Sequence, residues 1–345
     1  LLINLKYKPR TSKRLAIKVL VFEYITGGGL SQEEIPASLA KEGMLMMQAI
    51  IDELTDNASI VITVLVDYRF KNIQLASNVN IVFVHEHQCV YQLLPSLLDI
   101  VDFIWPVAPE MDGELVKLTQ LIEKKDVVLL NSSSAAITVC SDKLVTSNTL
   151  KEAGLDVIES MQWDQFSQNY PAPWVIKSKY GVGCLDNYFI ANKEQLIKIT
   201  KRIDNKKDYV IQPYIKGKVL SLSCLFKQGK AWLLCCNKQD VVINKGQFEL
   251  KACIVNISDD NNDLYQKIID QVASSIPGLF AYVGIDIILT ENNVPMILEI
   301  NPRLTTSYVG INQAIGYNVA NAVIEMTQND PIIRKTANKH ISVSI

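Results

Sequence analysis

YVGIDIILTENNVPMILEINPRLTTS, residues 282–307, governs the reading of the rest of the chain. Two apolar runs flank Thr290-Glu291-Asn292-Asn293. Asparagine tolerates the positive φ that tight hairpin turns demand, so a turn centred between Asn292 and Asn293 predicts an antiparallel hairpin. With a loop of two or of four residues, that centre sets Asp286 opposite Glu299 and Gly284 opposite Asn301. Like charges facing each other across strands are destabilising unless something neutralises them. Asn301 shares the face of Glu299 by the two-residue period of a strand, and Gly284 leaves it space. Two carboxylates and an amide oxygen on one face form a hard-cation site; Mg2+ bridging to phosphate oxygens suits that ligand set. The plain alternative is a solvated acidic face. It leaves unexplained why Ile285, Ile287, Ile300 and Pro302 crowd around each polar residue.

A site for a phosphate-bound cation needs a phosphate-binding partner. Trp174 to Gly183 (WVIKSKYGVG) reads as a strand ending in a glycine turn. Lys177 can reach phosphates as a point charge, and Gly181 and Gly183 let backbone N–H groups close over them. The G-x-x-x-x-G-K-[ST] spacing of a P-loop is absent, and an ordinary hairpin is the competing reading. Ser141-Asp142-Lys143 opens a helix over 138–155 that ends at Gly154 and offers a second cation. Gln212-Pro213-Tyr214-Ile215 ends a strand whose backbone suits the edge of an adenine; a simple connector is the alternative.

Before residue 135, apolar runs at 17–24, 59–67, 80–86, 102–108 and 126–131 alternate with helical spacing, as over 34–55. This predicts a doubly wound parallel α/β sheet. Gly27-Gly28-Gly29 lacks the G-x-G-x-x-G fingerprint of a dinucleotide domain, which argues against a dehydrogenase. Loops at the carboxyl ends of such strands bind ligands, so Glu23 and Gly28 are candidates for a substrate rim. Beyond residue 155 short strands prevail, followed by a helix at 262–276, the hairpin, and a last helix from about 310 to 327. The expected class is α/β and α+β, with an N-terminal domain over 1–135, a central subdomain over 136–210 and a C-terminal subdomain over 211–345.

The chain has 34 Lys+Arg and 36 Asp+Glu, a net charge of −2 that gives no sign of a nucleic-acid or anionic-membrane surface. No apolar run approaches the roughly 20 residues of a membrane span. The basic start before residue 16 reads as ragged; Lys18 and Glu23 interrupt the apolar stretch that follows, against a signal peptide. The 7 cysteines show no CxxC spacing and read as reduced thiols of a cytoplasmic protein. His85 and His87 would share a strand face, but no third metal ligand lies near them in sequence.

Taken in order, Asp142-Lys143, Lys177 with Gly181 and Gly183, the Gln212–Gly217 hinge, and Asp286…Glu299-x-Asn301 closing with Pro302-Arg303 resemble the ATP-grasp superfamily over most of residues 125–327. The resemblance implies an ATP-grasp fold, with ATP gripped between two α+β subdomains behind the N-terminal α/β domain. It implies that Lys143 and Lys177 contact ATP phosphates, that Gln212, Pro213, Tyr214 and Ile215 line the adenine, and that Asp286, Glu299 and Asn301 hold one or two Mg2+ ions, with Mn2+ as an alternative. Arg303 would stabilise the transferring phosphoryl group. Two positions depart from the family pattern: Pro213 stands where many members carry an acidic residue, and Gly284 where many amide ligases carry arginine. Arg303 or Lys251 is the expected source of the missing charge, and Lys251 is a further substrate candidate. VFEYITGGG (21–29), APEMDGEL (108–115), NKQ (237–239) and EINPRLTTSYVGI (299–311) carry a narrower resemblance, to the ATP-grasp group that includes tyramine–glutamate ligase. It implies an amide-forming ligase acting on small molecules, a glutamate-like carboxylate and a tyramine-like amine, in the making of a methanofuran-type one-carbon cofactor. Another amino-acid or peptide ligase, or a non-catalytic ATP-binding module, are the alternatives, and a homodimer stays open.

Overall fold

The computed structural model describes residues 16–166, 171–181 and 186–344. The expectation of a ragged basic start falls on residues 1–15, outside the described residues, as does Gly183 of the glycine turn.

The N-terminal sheet is built from β1 (Ile17–Glu23), β2 (Ile60–Asp67), β3 (Val79–Val84), β4 (Phe103–Val107) and β5 (Val128–Leu129), all parallel in the order β3-β2-β1-β4-β5. Both faces of β1 are covered. Val19 and Val21 face a core shared with helix α1 (Ala37–Thr55), while Leu20 and Phe22 face α2 (Val90–Leu98) and α3 (Glu114–Ile122) on the other side. This double burial is why the middle of the strand, residues 19–22, reads as an unbroken apolar run rather than an alternating one. Strand order reverses between β1 and β4, and the loops after these two strands border the crevice where open α/β sheets receive ligands.

The expected helix over 138–155 is two helices, α4 (Ser134–Ser141) and α5 (Lys143–Glu152). Asp142 breaks them because its backbone is extended and its carboxylate caps α5, accepting from Leu144 N (2.8 Å) and Val145 N (3.2 Å). Four antiparallel strands follow: β6 (Met161–Gln162), β7 (Trp174–Ser178), β8 (Tyr188–Ile190) and β9 (Tyr209–Pro213), with α6 (Lys193–Thr200) packed on them. The large sheet comprises β10 (Gly217–Lys227), β11 (Lys230–Asn244), β12 (Gln247–Val255), β13 (Ala281–Thr290), β14 (Pro295–Asn301) and β15 (Ile341–Ser344), backed by α7 (Asn262–Ser275). Gln247 pairs with Tyr188, so the two antiparallel sheets run on as one.

The subdomain bounds shift from those expected. β9 pairs with β6 and β7, so the central unit ends after Pro213 rather than at 210. Ala136 and Cys140 of α4 and Leu150 of α5 pack into the core of the large sheet, so these helices join the C-terminal unit. The expected last helix is likewise two, α8 (Tyr308–Ile315) and α9 (Val319–Met326), separated by Gly316 at φ 64. Both pack against α1, and Tyr308, Ile311, Val319 and Val323 share one core with Val19 and Trp105. The N-terminal domain is thereby fused to the large sheet. Among the described residues, no helix is long and apolar enough to cross a membrane.

Candidate active site

β13 and β14 pair with Asp286 opposite Glu299 and Gly284 opposite Asn301. The route to that register differs from the expectation. The loop has three residues, with only Asn293 at positive φ (61°), and Thr290 N donates to Val294 O at 3.0 Å. From there Ile287 pairs with Ile297, one residue out of the expected register; Leu298 is then bulged out, and Asp286 meets Glu299.

Five cationic or amide groups act on this pair. Gln239 Nε2 donates to Asp286 Oδ1 (2.8 Å) and Asn301 Nδ2 to Asp286 Oδ2 (3.1 Å). Lys143, 8% exposed, donates to Gly181 O at 2.6 Å and lies 3.5 Å from Glu299 Oε2. Its ammonium thus spans the glycine turn and the carboxylate hairpin. Lys177, buried on β7, also acts on Glu299. Burial and the facing Glu299 charge push Asp286 up to about 8. Burial acts on Glu299 in the same direction, but Lys143, Lys177 and Arg303 outweigh it and hold that carboxyl below its usual range. The pair therefore retains one proton between two buried carboxyl groups well above the ordinary carboxylate range.

Arg303 Nε donates to Glu110 Oε2 at 2.7 Å and Nη1 to Leu304 O at 2.9 Å. Burial works against the guanidinium charge, but Glu110 more than offsets it and raises the pKa. Thr306, in the same loop, hydrogen-bonds Glu42 of α1. Of the two cations expected to compensate for Gly284, Arg303 acts on Glu299, whereas Lys251 is exposed and ion-paired with Glu249. No side chain fits at Gly284 as the loop stands: a Cβ there would lie 2.6 Å from Thr305 Cγ2.

At the hinge the Gln212 side chain is turned inward. Gln212 is 2% exposed and its Nε2 donates to Ser160 Oγ at 2.7 Å. Pro213 closes β9, Tyr214 N donates to Pro173 O (3.0 Å), and Tyr214 and Ile215 are half-buried. Tyr214 stacks edge-on to Phe189 with ring centroids 4.9 Å apart.

Glu23 does not form a rim. It is 2% exposed, and its carboxylate accepts from Ile25 N (3.2 Å), Thr26 N (2.7 Å) and Thr26 Oγ1 (2.6 Å). It ties down its own loop, and burial raises its pKa. Gly28 is buried at φ 95, with its missing Cβ directed at Val84. Both are structural supports of the crevice. His85 and His87 stack at 6.1 Å, and among the described residues no group of three or more His, Cys, Asp or Glu is arranged around a metal.

A divalent cation fits the hairpin on chemical grounds. The pair is held in register while repelling itself, and Asn301 adds an amide beside it. Two carboxylates and an amide leave ligand positions to phosphate oxygens and water, as Mg2+ prefers. Sequence reasoning passed over Glu110 and Glu42 as site residues and reached Gln239 only as part of the stretch 237–251, expected to contact substrate. Glu110 and Gln239 do lie inside the APEMDGEL and NKQ segments, but nothing local marked their chemistry.

Comparisons with known proteins bear on the same segments. Residues 140–307 match the ATP-grasp domain, and 60–137 match the pre ATP-grasp 3 domain. The tyramine–L-glutamate ligase of Methanocaldococcus fervens is 27% identical over 333 residues, covering 94% of this chain and 99% of that protein. The tyramine–L-glutamate ligase of Methanocaldococcus jannaschii is 26% identical over 330 residues, covering 94% of each. A solved structure ascribed to the ATP-grasp superfamily, from Archaeoglobus fulgidus, superposes with a TM-score of 0.72 at 24% identity, covering 95% of this chain and 92% of that one.

Proposed function

This chain belongs to the ATP-grasp superfamily and is an ATP-dependent carboxylate–amine ligase, and from that premise we propose that it joins glutamate to a tyramine-like aromatic amine, in the making of a methanofuran-type one-carbon cofactor. The observation that carries the chemistry is the Lys143 ammonium, set between the glycine turn and the paired carboxylates. The two relatives, matched over nearly the whole chain, support the substrates.

In this reading a substrate carboxylate oxygen attacks the γ-phosphorus of ATP in line, the bond to the β-phosphate oxygen breaks, and ADP leaves. The neutral amine then attacks the carbon of the acyl phosphate, its C–O bond breaks, and phosphate departs as the nitrogen sheds a proton. Phosphoryl transfer asks the protein mainly for positioning and charge neutralisation. Lys143 and Lys177 supply fixed positive charge for the phosphates, with Lys143 anchored on the Gly181 carbonyl. Backbone groups of Gln212 to Ile215 meet the adenine edge. Arg303 faces the charge that builds on the transferring phosphoryl group. Asp286, Glu299 and Asn301 would hold one or two Mg2+ ions, which neutralise the phosphate oxygens and orient the triphosphate. The described cysteines are free thiols, in keeping with a reducing cytoplasmic setting.

The test is ADP release from Mg-ATP and L-glutamate, with and without tyramine, with products identified by mass. A tyramine-dependent signal and a glutamyl-tyramine product are expected. Asp286→Asn combined with Glu299→Gln should abolish the signal in a folded protein. Turnover only with another acid and amine would retain the ligase and replace the substrates; near-wild-type turnover of the double variant would refute the metal site.

A further inference from the structure

Glu110 and Arg303 lie 193 residues apart and meet at 2.7 Å. Glu110 follows β4, beside the crevice at the point where strand order reverses. Arg303 follows β14, four residues past Glu299. The side chains are 7% and 12% exposed. Nε is held by Glu110 and Nη1 by Leu304 O, so the guanidinium plane is fixed from the N-terminal domain and from its own loop. The same loop is tied to α1 through Thr306 and Glu42.

Stability alone is a poor account of this pair. Taking two charges out of water offsets most of their attraction, and apolar side chains of similar size often do as well. Glu110 also carries an uncompensated cost: its Oε1 is buried without a hydrogen-bond partner among the described residues. What the pair does provide is placement, since a carboxylate accepting from Nε sets the direction of the fork. We infer that Glu110 is a positioning residue, which holds Arg303 against the carboxylate hairpin so that its guanidinium meets the transferring phosphoryl group. The crevice rim of the N-terminal domain and the phosphoryl site then act as one unit. This rests on the ligase reading above.

The experiment measures kcat, KM for ATP and calorimetric ATP affinity in the full chain, with an acid and amine that the wild type accepts. Glu110→Ala should lower kcat about 100-fold, the loss expected of a group displaced by about 1 Å. ATP affinity should stay within about twofold, because the phosphate lysines are untouched. Glu110→Gln, which still offers Nε a neutral oxygen, should lose less. Glu110→Ala combined with Arg303→Ala should be no slower than Arg303→Ala alone, because Glu110 acts only through Arg303. A wild-type kcat in Glu110→Ala overturns the inference, as does a double variant slower by the full Glu110→Ala factor. Should Glu110→Ala fail to fold, Glu110→Gln decides: reduced kcat at unchanged ATP affinity supports the role and a wild-type rate refutes it. Arg303→Lys replaces Arg303→Ala in the cycle on the same grounds. A wild type that releases no ADP with any acid and amine sinks the ligase reading and this inference with it; wild-type turnover with unaffected variants sinks this inference alone.

Discussion

Replacing Asp286 by asparagine should stabilise the metal-free protein, and do so increasingly as the pH rises. The Asp286 carboxyl titrates at about 8 in the folded chain, raised by burial and by Glu299. In the unfolded chain an aspartate titrates near 3.9. Between those values the folded protein keeps a proton that the unfolded chain has released, so wild-type stability falls with pH. One retained proton gives a slope of about 1.4 kcal/mol per pH unit. Asparagine titrates in neither state, so the gap between variant and wild type opens by roughly 2–3 kcal/mol from about pH 5 to 7. A constant term acts the other way. Gln239 and Asn301 both donate to Asp286, and an amide offers only one acceptor oxygen; the lost bond costs about 1 kcal/mol. Near the lower pH the two proteins should be close in stability, and near neutrality the variant should lead. Urea unfolding of chelator-treated protein at three pH values measures the gap. A gap independent of pH would refute the proton-sharing account of the pair. Saturating Mg2+ and ATP should then reverse the order, since the wild type, with all three metal-holding residues, gains more binding energy in its folded state than the variant does.

Lys177→Ala should weaken ATP binding by about 10- to 100-fold, the worth of a charge-assisted contact to phosphate, while the protein stays folded; unchanged affinity by calorimetry would remove Lys177 from the site. Gly28→Ala should lower stability by about 2–3 kcal/mol, because it combines overpacking with a backbone that disfavours a side chain. Its Cβ would lie 2.5 Å from Val84 Cβ at φ +95, and an unshifted melting temperature would contradict that crowding.

What the sequence made legible is what lies close together along the chain. The carboxylate hairpin spans 282–301, and its facing pair follows from apolar flanks and an asparagine turn. Even there two local offsets were invisible: a three-residue loop shifts the register by one, and the bulged Leu298 shifts it back. The correct pair came from the cancellation of two opposite displacements, and a hairpin without the bulge would have set Asp286 opposite Leu298. Helix breaks were hidden for a different reason. Ser141-Asp142-Lys143 did mark a helix start, but the apolar pattern stays helical on both sides of Asp142 and of Gly316, and only the cap at Asp142 and the left-handed backbone at Gly316 divide each stretch in two. The bound of the central unit at 210 cut through β9 because a strand belongs to the unit it pairs with, and pairing with β6 and β7 is a long-range fact. Glu23 misled because a carboxylate at a strand end can serve a ligand or its own loop, and only the bonds from Ile25 and Thr26 distinguish the two. Glu110 is the limiting case. A lone glutamate in a loop has no period, no spacing and no turn chemistry to announce it, and its partner is 193 residues away. The metal-binding face of the site is thus a local property of one hairpin, whereas the orientation of Arg303 belongs to the contact between two sheets. Changes in the N-terminal domain should therefore reach the phosphoryl site through Glu110 and the loop tied to Glu42, without altering any residue of the carboxylate hairpin.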